Sequence, residues 1–388
     1  MITLRIGEIG PLVEMLQLAL QRAGFETEIN GGFNEELEQV VKEFQRENNL
    51  EPDGVVGKNT WARLEPYLLG YTTNSQGEKV PLDFDIVPTN IRYVWELVSY
   101  IVKGITARYP FVESGSIGKS IMGKDLYYLK IGTGPVEAFY NGEHHANEWI
   151  TTPLLLKFAE EYAKAYTNDG NIGDISAREL YDSKTLYIVA CVNPDGMDTV
   201  NGGLPAGEYY NNVLEISGNY PQIPFPDGWK ANVEGVDLNL NYPANWNRAK
   251  EIKYSQGFTS PAPRDFVGTE PLSEPESLAM YNFTTKHNFT LTLSYHTQGK
   301  VIYWKYLDYL PKNSYAIARA LAEMSGYELS LTPSESAYAG YKDWFIQAYN
   351  KPGYTIEAGI GINPLPLEQF DEIYNDNLGL LVTALEMA

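Results

Sequence analysis

N-G-E-H-H-A-N-E-W-I, Asn141 to Ile150, is the run from which both the architecture and the chemistry of the chain can be read. Just before it, Val136 to Tyr140 carries a period-2 apolar pattern. Just after it, Ile150, Leu154, Leu155, Phe158 and Tyr162 recur at helical spacing within Trp149 to Tyr166. The run therefore sits where a strand gives way to a helix, so its side chains can converge at the open end of a sheet. Within it His145 and Glu148 stand at i, i+3, an imidazole and a carboxylate, which is two thirds of a His2Glu zinc site. H-x-x-E alone is common in helices, so the rest of the chain has to supply a third ligand, a base and a substrate site.

Four histidines are available: His144, His145, His287 and His296. His296 follows the alternating run Phe289 to Tyr295 and so stands at a strand end, where it can face the same crevice as His145. His287 sits between Lys286 and Asn288 and reads as a solvated helix end. His144 adjoins His145, and adjacent side chains point apart, so one of the two is expected to reach a metal. A metal-activated water also needs a base. Most glutamates fall on polar helix faces, but Glu357 closes the apolar run Y-T-I-E, where a carboxylate is costly unless used.

The 388 residues leave room for two or three domains, and 44% apolar content suffices for a sizeable core. With 29 basic and 50 acidic residues the formal charge is −21, which repels phosphate backbones and excludes nucleic acid as a partner. The single cysteine, Cys191, excludes an internal disulfide framework and a Cys-based zinc site; its apolar neighbours mark it as a buried core residue. No run of about 18 apolar residues occurs, so no membrane insertion is expected. Met1 leads directly into the first module with no secretory leader, so synthesis in the cytoplasm or a sporulation compartment, with action on wall material, is the expectation.

Residues 1–69 read as three short helices. Pro11 to Ala23 carries an apolar stripe and is closed by Gly24. Asn34 caps a second helix with Glu35 and Glu36 in its first turn, and a third runs from about Asn59 to Leu64, with Phe44 and Trp61 in the core. The stretch resembles the peptidoglycan-binding type 1 domain through Gly7 to Leu20, G-G-F (Gly31 to Phe33), E-F-Q (Glu43 to Gln45) and D-G-V-V-G-K-N-T-W (Asp53 to Trp61). The resemblance implies a module that holds the chain on cell-wall glycopeptide. Residues 70–84, polar and without periodicity, read as a linker.

Residues 85–388 alternate helical and strand patterns: a helix from Asn90 to Arg108, strands at Asp125 to Ile131, Val136 to Tyr140, Thr185 to Val192, Phe289 to Tyr295 and Gly353 to Ile356, and a terminal helix over Leu367 to Met387. This is an α/β domain with a mixed sheet sandwiched between helices. It resembles the zinc metallocarboxypeptidase family of the carboxypeptidase A type. The matching motifs are H-A-N-E-W (His145 to Trp149), N-P-D-G (Asn193 to Gly196), G-V-D-L-N (Gly235 to Asn239), P-L-S-E-P-E (Pro271 to Glu276), S-Y-H (Ser294 to His296) and T-I-E (Thr355 to Glu357). The resemblance implies one Zn2+ held by His145, Glu148 and His296, Glu357 as general base and acid, and Asp237 fixing the tautomer of His145.

The chain also departs from that family. Leu240 stands where exopeptidases of the family carry the Arg that clamps a substrate's C-terminal carboxylate, and a Leu cannot make that bidentate contact. Asn147 replaces another usual Arg. Lys230 occupies the place of the Arg that supports the oxyanion; Tyr338 and Tyr341, ahead of D-W, are both candidates for the Tyr expected to close over substrate, with Tyr338 favoured. H-H-A-N-E-W-I-T-T-P, G-V-D-L-N-L-N-Y-P and A-G-Y-K-D-W-F resemble the bacterial γ-D-glutamyl-meso-diaminopimelate peptidases, which act on peptidoglycan stem peptides. The wall-binding resemblance points independently to the same polymer. Asn239, Arg248 and Arg264 are expected to read substrate carboxylates: Asn239 by motif, the two arginines by charge. Two other readings fit as well, a metallocarboxypeptidase with altered C-terminal specificity and a non-catalytic wall-binding protein.

Overall fold

The computed structural model describes residues 3–388, so residues 1 and 2 of the expected first domain lie outside the described residues. Three helices open the chain, α1 (Pro11–Arg22), α2 (Glu35–Glu47) and α3 (Lys58–Leu69). The Asn34 side chain caps α2 by accepting from the Leu37 N–H at 2.9 Å. Phe44 and Trp61 are buried between the helices, each worth roughly 1.5–3 kcal/mol of burial. The E-F-Q and D-G-V-V-G motifs meet through Gln45. Its buried amide donates to the Val55 carbonyl (3.0 Å), Thr60 Oγ1 (3.1 Å) and Asp53 Oδ1 (2.9 Å), and its oxygen accepts from the Gly54 N–H (2.9 Å). Every polar atom of that side chain is thus satisfied inside the module.

The stretch read as a linker contains a small antiparallel hairpin, β1 (Tyr71–Thr73) and β2 (Lys79–Pro81). Two strands of three residues are too short to show a period-2 pattern in sequence. Arginines fix this hairpin and the first module to the larger unit. Arg108 donates to the carbonyls of Gly70, Leu82 and Phe84, and Arg22 to those of Tyr67, Asp85 and Ile86. Gly104 lets helix α4 (Trp95–Arg108) approach α3 closely, because a Cβ there would collide with the Leu69 carbonyl oxygen. The α4 helix starts at Trp95 rather than Asn90, and its first N–H, on Trp95, donates to Asp198 Oδ1 at 2.9 Å.

Beyond α4 come β3 (Glu113–Lys119), β4 (Asp125–Gly132), β5 (Val136–Gly142), α5 (Thr151–Thr167), a second hairpin β6 (Asn171–Ile172) and β7 (Ile175–Ser176), α6 (Ala177–Ser183), β8 (Lys184–Val189), α7 (Pro194–Asn201) and α8 (Glu208–Gly218). The chain ends with α9 (Trp246–Ser255), α10 (Pro275–Thr285), β9 (Leu291–His296), β10 (Val301–Tyr303), α11 (Ser314–Ser325), β11 (Glu328–Ser330), α12 (Tyr341–Tyr349), β12 (Gly353–Glu357) and α13 (Phe370–Glu386). Eight strands form one mixed sheet in the order β11-β10-β12-β9-β5-β8-β4-β3, with β12, β9, β5 and β8 parallel at its centre.

Alternation puts apolar residues on both faces of that centre. Ala138 and Tyr140 of β5, with Leu186 and Ile188 of β8, join the core that includes Leu155, Phe158 and Leu381 of α5 and α13. Phe139, Tyr187 and Val189 face the other way, against Phe283, Tyr341 and Phe345 of α10 and α12. Strands buried on both sides read as near-continuous apolar runs, as Leu186 to Val189 of β8 does, whereas β5 keeps Glu137 and Asn141 among its apolar residues. Cys191 lies just past β8, buried as expected, with its thiol donating to Glu143 Oε2 at 2.8 Å. His287 is not a solvated helix end: its ring packs on Tyr187, Phe283 and Phe289 and its Nδ1 lies 3.2 Å from Glu137. Glu357 is half-buried and is not the lone inward glutamate, since Glu143, Glu160 and Glu276 are fully buried. Among the described residues no helix is long and apolar enough to cross a membrane.

Candidate active site

The site forms where the parallel strands end. His296 is the last residue of β9 and Glu357 the last of β12, and the two are register partners. After β5 the chain turns through Glu143, which adopts a left-handed φ of 57°, and the Val192 and Asn193 N–H groups bind the carbonyls of Gly142 and Glu143. Ala146 donates to the Lys230 carbonyl at 3.0 Å, and Ala146–Glu148 forms one 3-10 turn. These bonds swing His145 and Glu148 over the end of β9. Two strand ends and one turn, all at the carboxyl edge of a parallel sheet, thus supply the whole cluster.

His145 Nδ1 lies 3.0 Å from Glu148 Oε1, His296 Nδ1 lies 2.9 Å from Glu148 Oε2, and the two Nδ1 atoms are 3.2 Å apart. His145 Nε2 faces Asp237 Oδ1 at 3.2 Å. An ionised carboxylate only accepts, so it draws the proton to Nε2 and leaves the Nδ1 lone pair directed at the centre. Asp237 is itself held by the Asp265 N–H on Oδ2 at 3.1 Å. Two imidazole nitrogens and a carboxylate converging on one point fit Zn2+, whose sites of this type keep a further position open. His144 points away: it is buried, with Nε2 at 2.9 Å from the Tyr242 hydroxyl.

Electrostatics favour positive charge at the centre. Burial alone would lower His145, but Glu148 and Asp237 more than offset it and raise its pKa to about 9. Burial likewise opposes the charge on Glu148, yet His145 and the Lys230 ammonium, 2.7 Å from Oε1, hold its carboxyl well below the usual range. Glu357 moves the other way. Burial and the nearby negative Glu148 push it up to about 8, against the pull of Lys230 and His145. Two carboxyl groups lining one crevice are therefore driven in opposite directions, the separation expected of a ligand and a base.

A crevice of about 200 Å³ opens over this cluster, lined by Tyr303, Thr355 and Glu357 from the adjacent strands β10 and β12 and by Lys230, Asn239, Leu240, Arg264 and Asp265. Asn239 Nδ2 lies 3.4 Å from His296 Nε2. Leu240 faces the crevice and packs with Trp246, Ala249, Val267 and Ala339, so the wall is apolar at that point. Two expected residues are placed elsewhere. Arg248 is exposed on α9 and pairs with Glu251 at 2.9 Å, because the face of α9 that carries it points to solvent. Tyr338 packs with Leu240 and Trp246 and lines a neighbouring depression with Leu307 and Leu331. Its alternative, Tyr341, is fully buried with its hydroxyl 2.8 Å from Thr284 Oγ1. Tyr303, in an unremarkable three-residue strand, is a crevice tyrosine that no motif marked.

Comparison with known proteins agrees with this geometry. A family model described as zinc carboxypeptidase matches residues 98–378, and one for a peptidoglycan binding domain matches residues 9–64. The chain is 40% identical over 306 residues to gamma-D-glutamyl-L-diamino acid endopeptidase 1 of Lysinibacillus sphaericus, covering 78% of this chain and 75% of that one. It is also 40% identical over 287 residues to the uncharacterized protein YqgT of Bacillus subtilis (strain 168), covering 73% and 74%. Among solved structures, carboxypeptidase A from Helicoverpa armigera superposes with a TM-score of 0.58 at 20% identity, over 91% of this chain and 87% of that one. Bovine thrombin-activatable fibrinolysis inhibitor in complex with tick carboxypeptidase inhibitor gives 0.59 at 20%, over 77% and 98%. These two likenesses concern the fold.

Proposed function

Since the chain belongs to the zinc carboxypeptidase family, we propose that it is a metallopeptidase that hydrolyses the γ-D-glutamyl–diaminopimelate bond of peptidoglycan stem peptides. The observation that carries this reading is the relationship to the endopeptidase of Lysinibacillus sphaericus across three quarters of both chains. Two features support it. The chain also carries a peptidoglycan-binding domain, which would keep the crevice near wall material. And buried Leu240 leaves the crevice without the carboxylate clamp expected of an enzyme that trims protein C-termini.

His145, Glu148 and His296 would hold Zn2+, with Asp237 keeping the His145 lone pair directed inward. Zinc bound there supplies Lewis-acid polarisation of a carbonyl and makes a water more acidic. Glu357 takes the proton of the attacking water and returns it to the departing amine, a role suited to a half-buried carboxyl raised to about 8. Lys230, which also lines the crevice, offers positive charge to the oxyanion as the carbonyl becomes tetrahedral, once its contact with Glu148 loosens. Tyr338, on the rim beside Leu240, would have to move inward to touch substrate.

Incubation of the zinc-loaded protein with L-Ala-γ-D-Glu-meso-diaminopimelate tri-, tetra- and pentapeptides, followed by mass spectrometry, tests the reading. Release of L-Ala-D-Glu from all three is the expected result. Release of single C-terminal residues alone would favour a carboxypeptidase of altered specificity, and no cleavage by a zinc-replete protein would favour a wall-binding role.

A further inference from the structure

Four cationic side chains line the crevice, and three of them are spent on internal partners. Lys230 Nζ is 2.7 Å from Glu148, Lys253 Nζ is 2.5 Å from Asp265, and Lys342 Nζ is 2.7 Å from Asp343, with further contacts to the Lys305 carbonyl and Thr332 Oγ1. Arg264 differs. Its Nε donates to Asp265 Oδ2 at 2.7 Å, while neither Nη has a hydrogen bond among the described residues. Its side chain is 42% exposed, against 15% or less for the three lysines. Among the described residues it is the one crevice cation with an unengaged donor edge.

That edge is also firmly based. The Pro263 carbonyl accepts from the N–H groups of Lys230 and Ala231, at 2.7 and 3.0 Å, so Arg264 emerges beside Lys230. Asp265, in a left-handed conformation with φ 67°, is gripped by Lys253, and its N–H donates to Asp237 at 3.1 Å. The carboxylate that orients His145 therefore accepts from the backbone N–H of the residue whose own carboxylate orients Arg264. A fork held at its Nε and open at its Nη atoms is the geometry that grips a carboxylate in two parallel bonds.

We propose that Arg264 reads the free α-carboxylate of the D-glutamyl residue and so selects stems with D-glutamate over stems in which that carboxylate is amidated. The proposal rests on the reading of the scissile bond given above. In a γ-linked stem the scissile carbonyl ends the D-Glu side chain, and the α-carboxyl carbon lies four carbon–carbon bonds away, roughly 5 Å when extended. With Lys230 assigned to the carbonyl oxygen, Arg264, which emerges beside it, serves the acyl side, whereas Asn239 lies by His296, 3.4 Å from its Nε2. A carboxamide fails at this fork because it offers one oxygen and turns an NH2 donor towards the other N–H. Lys253 and Asp265 are positioning residues for the same contact.

The test compares L-Ala-γ-D-Glu-meso-diaminopimelate with its D-isoglutaminyl counterpart, using zinc-loaded full-length protein, wild type, Arg264→Lys and Arg264→Gln. Wild type is expected to prefer the D-Glu stem by roughly 10- to 100-fold in kcat/KM. R264Q should bring the ratio close to one by losing the D-Glu stem alone, and R264K should fall between. Calorimetric binding of both stems to Glu357→Gln, with and without R264Q, should show the same ratios without turnover. Equal use of both stems by wild type, or an equal loss on both in R264Q, would overturn the proposal while leaving the bond assignment intact. Cleavage of neither stem by wild type would overturn both.

Discussion

The Nδ1 atoms of His145 and His296 face each other at 3.2 Å with Glu148 bridging them. Two lone pairs at that separation repel unless a proton or cation lies between them, and the raised pKa of His145, about 9, says that the site holds a proton when it holds no metal. Zinc must displace that proton. Apparent zinc affinity should therefore rise with pH up to about 9 and then level, as read by competition with a chelator at several pH values. Removing the metal should lower Tm, since saturation at a thousand times Kd is worth about 4 kcal/mol. Asp237→Asn, which no longer fixes the tautomer, should weaken zinc binding roughly 10- to 100-fold. Affinity independent of pH between ~6 and ~9, where competition with one proton predicts a change of roughly several hundred-fold, would contradict this picture.

Glu357→Gln should keep zinc content and Tm close to wild type and lose hydrolysis of the stem tripeptide by at least ~100-fold, the low end for general-base removal. The carboxyl is raised to about 8 with burial as the leading cause. A bound cation beside it favours the ionised form, so the acid limb of kcat/KM should fall below pH 8 in the zinc enzyme. Activity rises with pH through that limb because the base must be unprotonated. Retained turnover in the Gln variant would remove Glu357 from the mechanism.

The central cluster was legible because each member sits at the end of a strand with its own pattern: His145 and Glu148 after Val136 to Tyr140, His296 after Phe289 to Tyr295, and Glu357 after Tyr354 to Ile356. What sequence hid depends on partners far along the chain. Arg248 and Arg264 look alike as charges. Only the grip of Lys230 and Ala231 on the Pro263 carbonyl turns Arg264 inward, while Arg248 finds Glu251 on an exposed helix face. The start of α4 at Trp95 is set by Asp198, and the burial of Glu160 by the N–H groups of Ile86 and Val87 that it accepts. Local propensity carries no trace of such contacts.

Glu276, in the first turn of α10, is a second buried carboxyl with a consequence for stability. Burial is the main reason its pKa is raised to about 8, and its Oε1 accepts one bond, from the Ile121 N–H at 3.2 Å. The folded state then binds a proton that the unfolded chain releases near its ordinary value of about 4.5. Its contribution is complete below that value and is lost as pH rises through about 8. Glu276→Gln should match wild type in urea unfolding near pH ~4 and exceed it above pH ~9, by on the order of a few kcal/mol. Parallel pH profiles for the two proteins would exclude the effect.

Glu14 of α1 accepts two hydrogen bonds from Arg92, from the backbone N–H and from Nε, each at 2.7 Å, and the Arg92 Nη2 lies 2.6 Å from Oε1. Glu14 is largely buried, so this pair joins the first module to the peptidase domain in a setting where a lost partner is costly. Together with Arg22 and Arg108 it should make the two units melt together, in one calorimetric transition with equal van't Hoff and calorimetric enthalpies. Glu14→Ala should cost roughly 1.5–3 kcal/mol and separate an early transition of residues 11–69 from the main one. Because the site at His145 lies in the other unit, kcat on a soluble tripeptide should not change, whereas turnover of intact peptidoglycan sacculi should fall if the fixed spacing between module and crevice matters. Two transitions already present in the wild-type protein would show that the arginine and glutamate contacts do not couple the units.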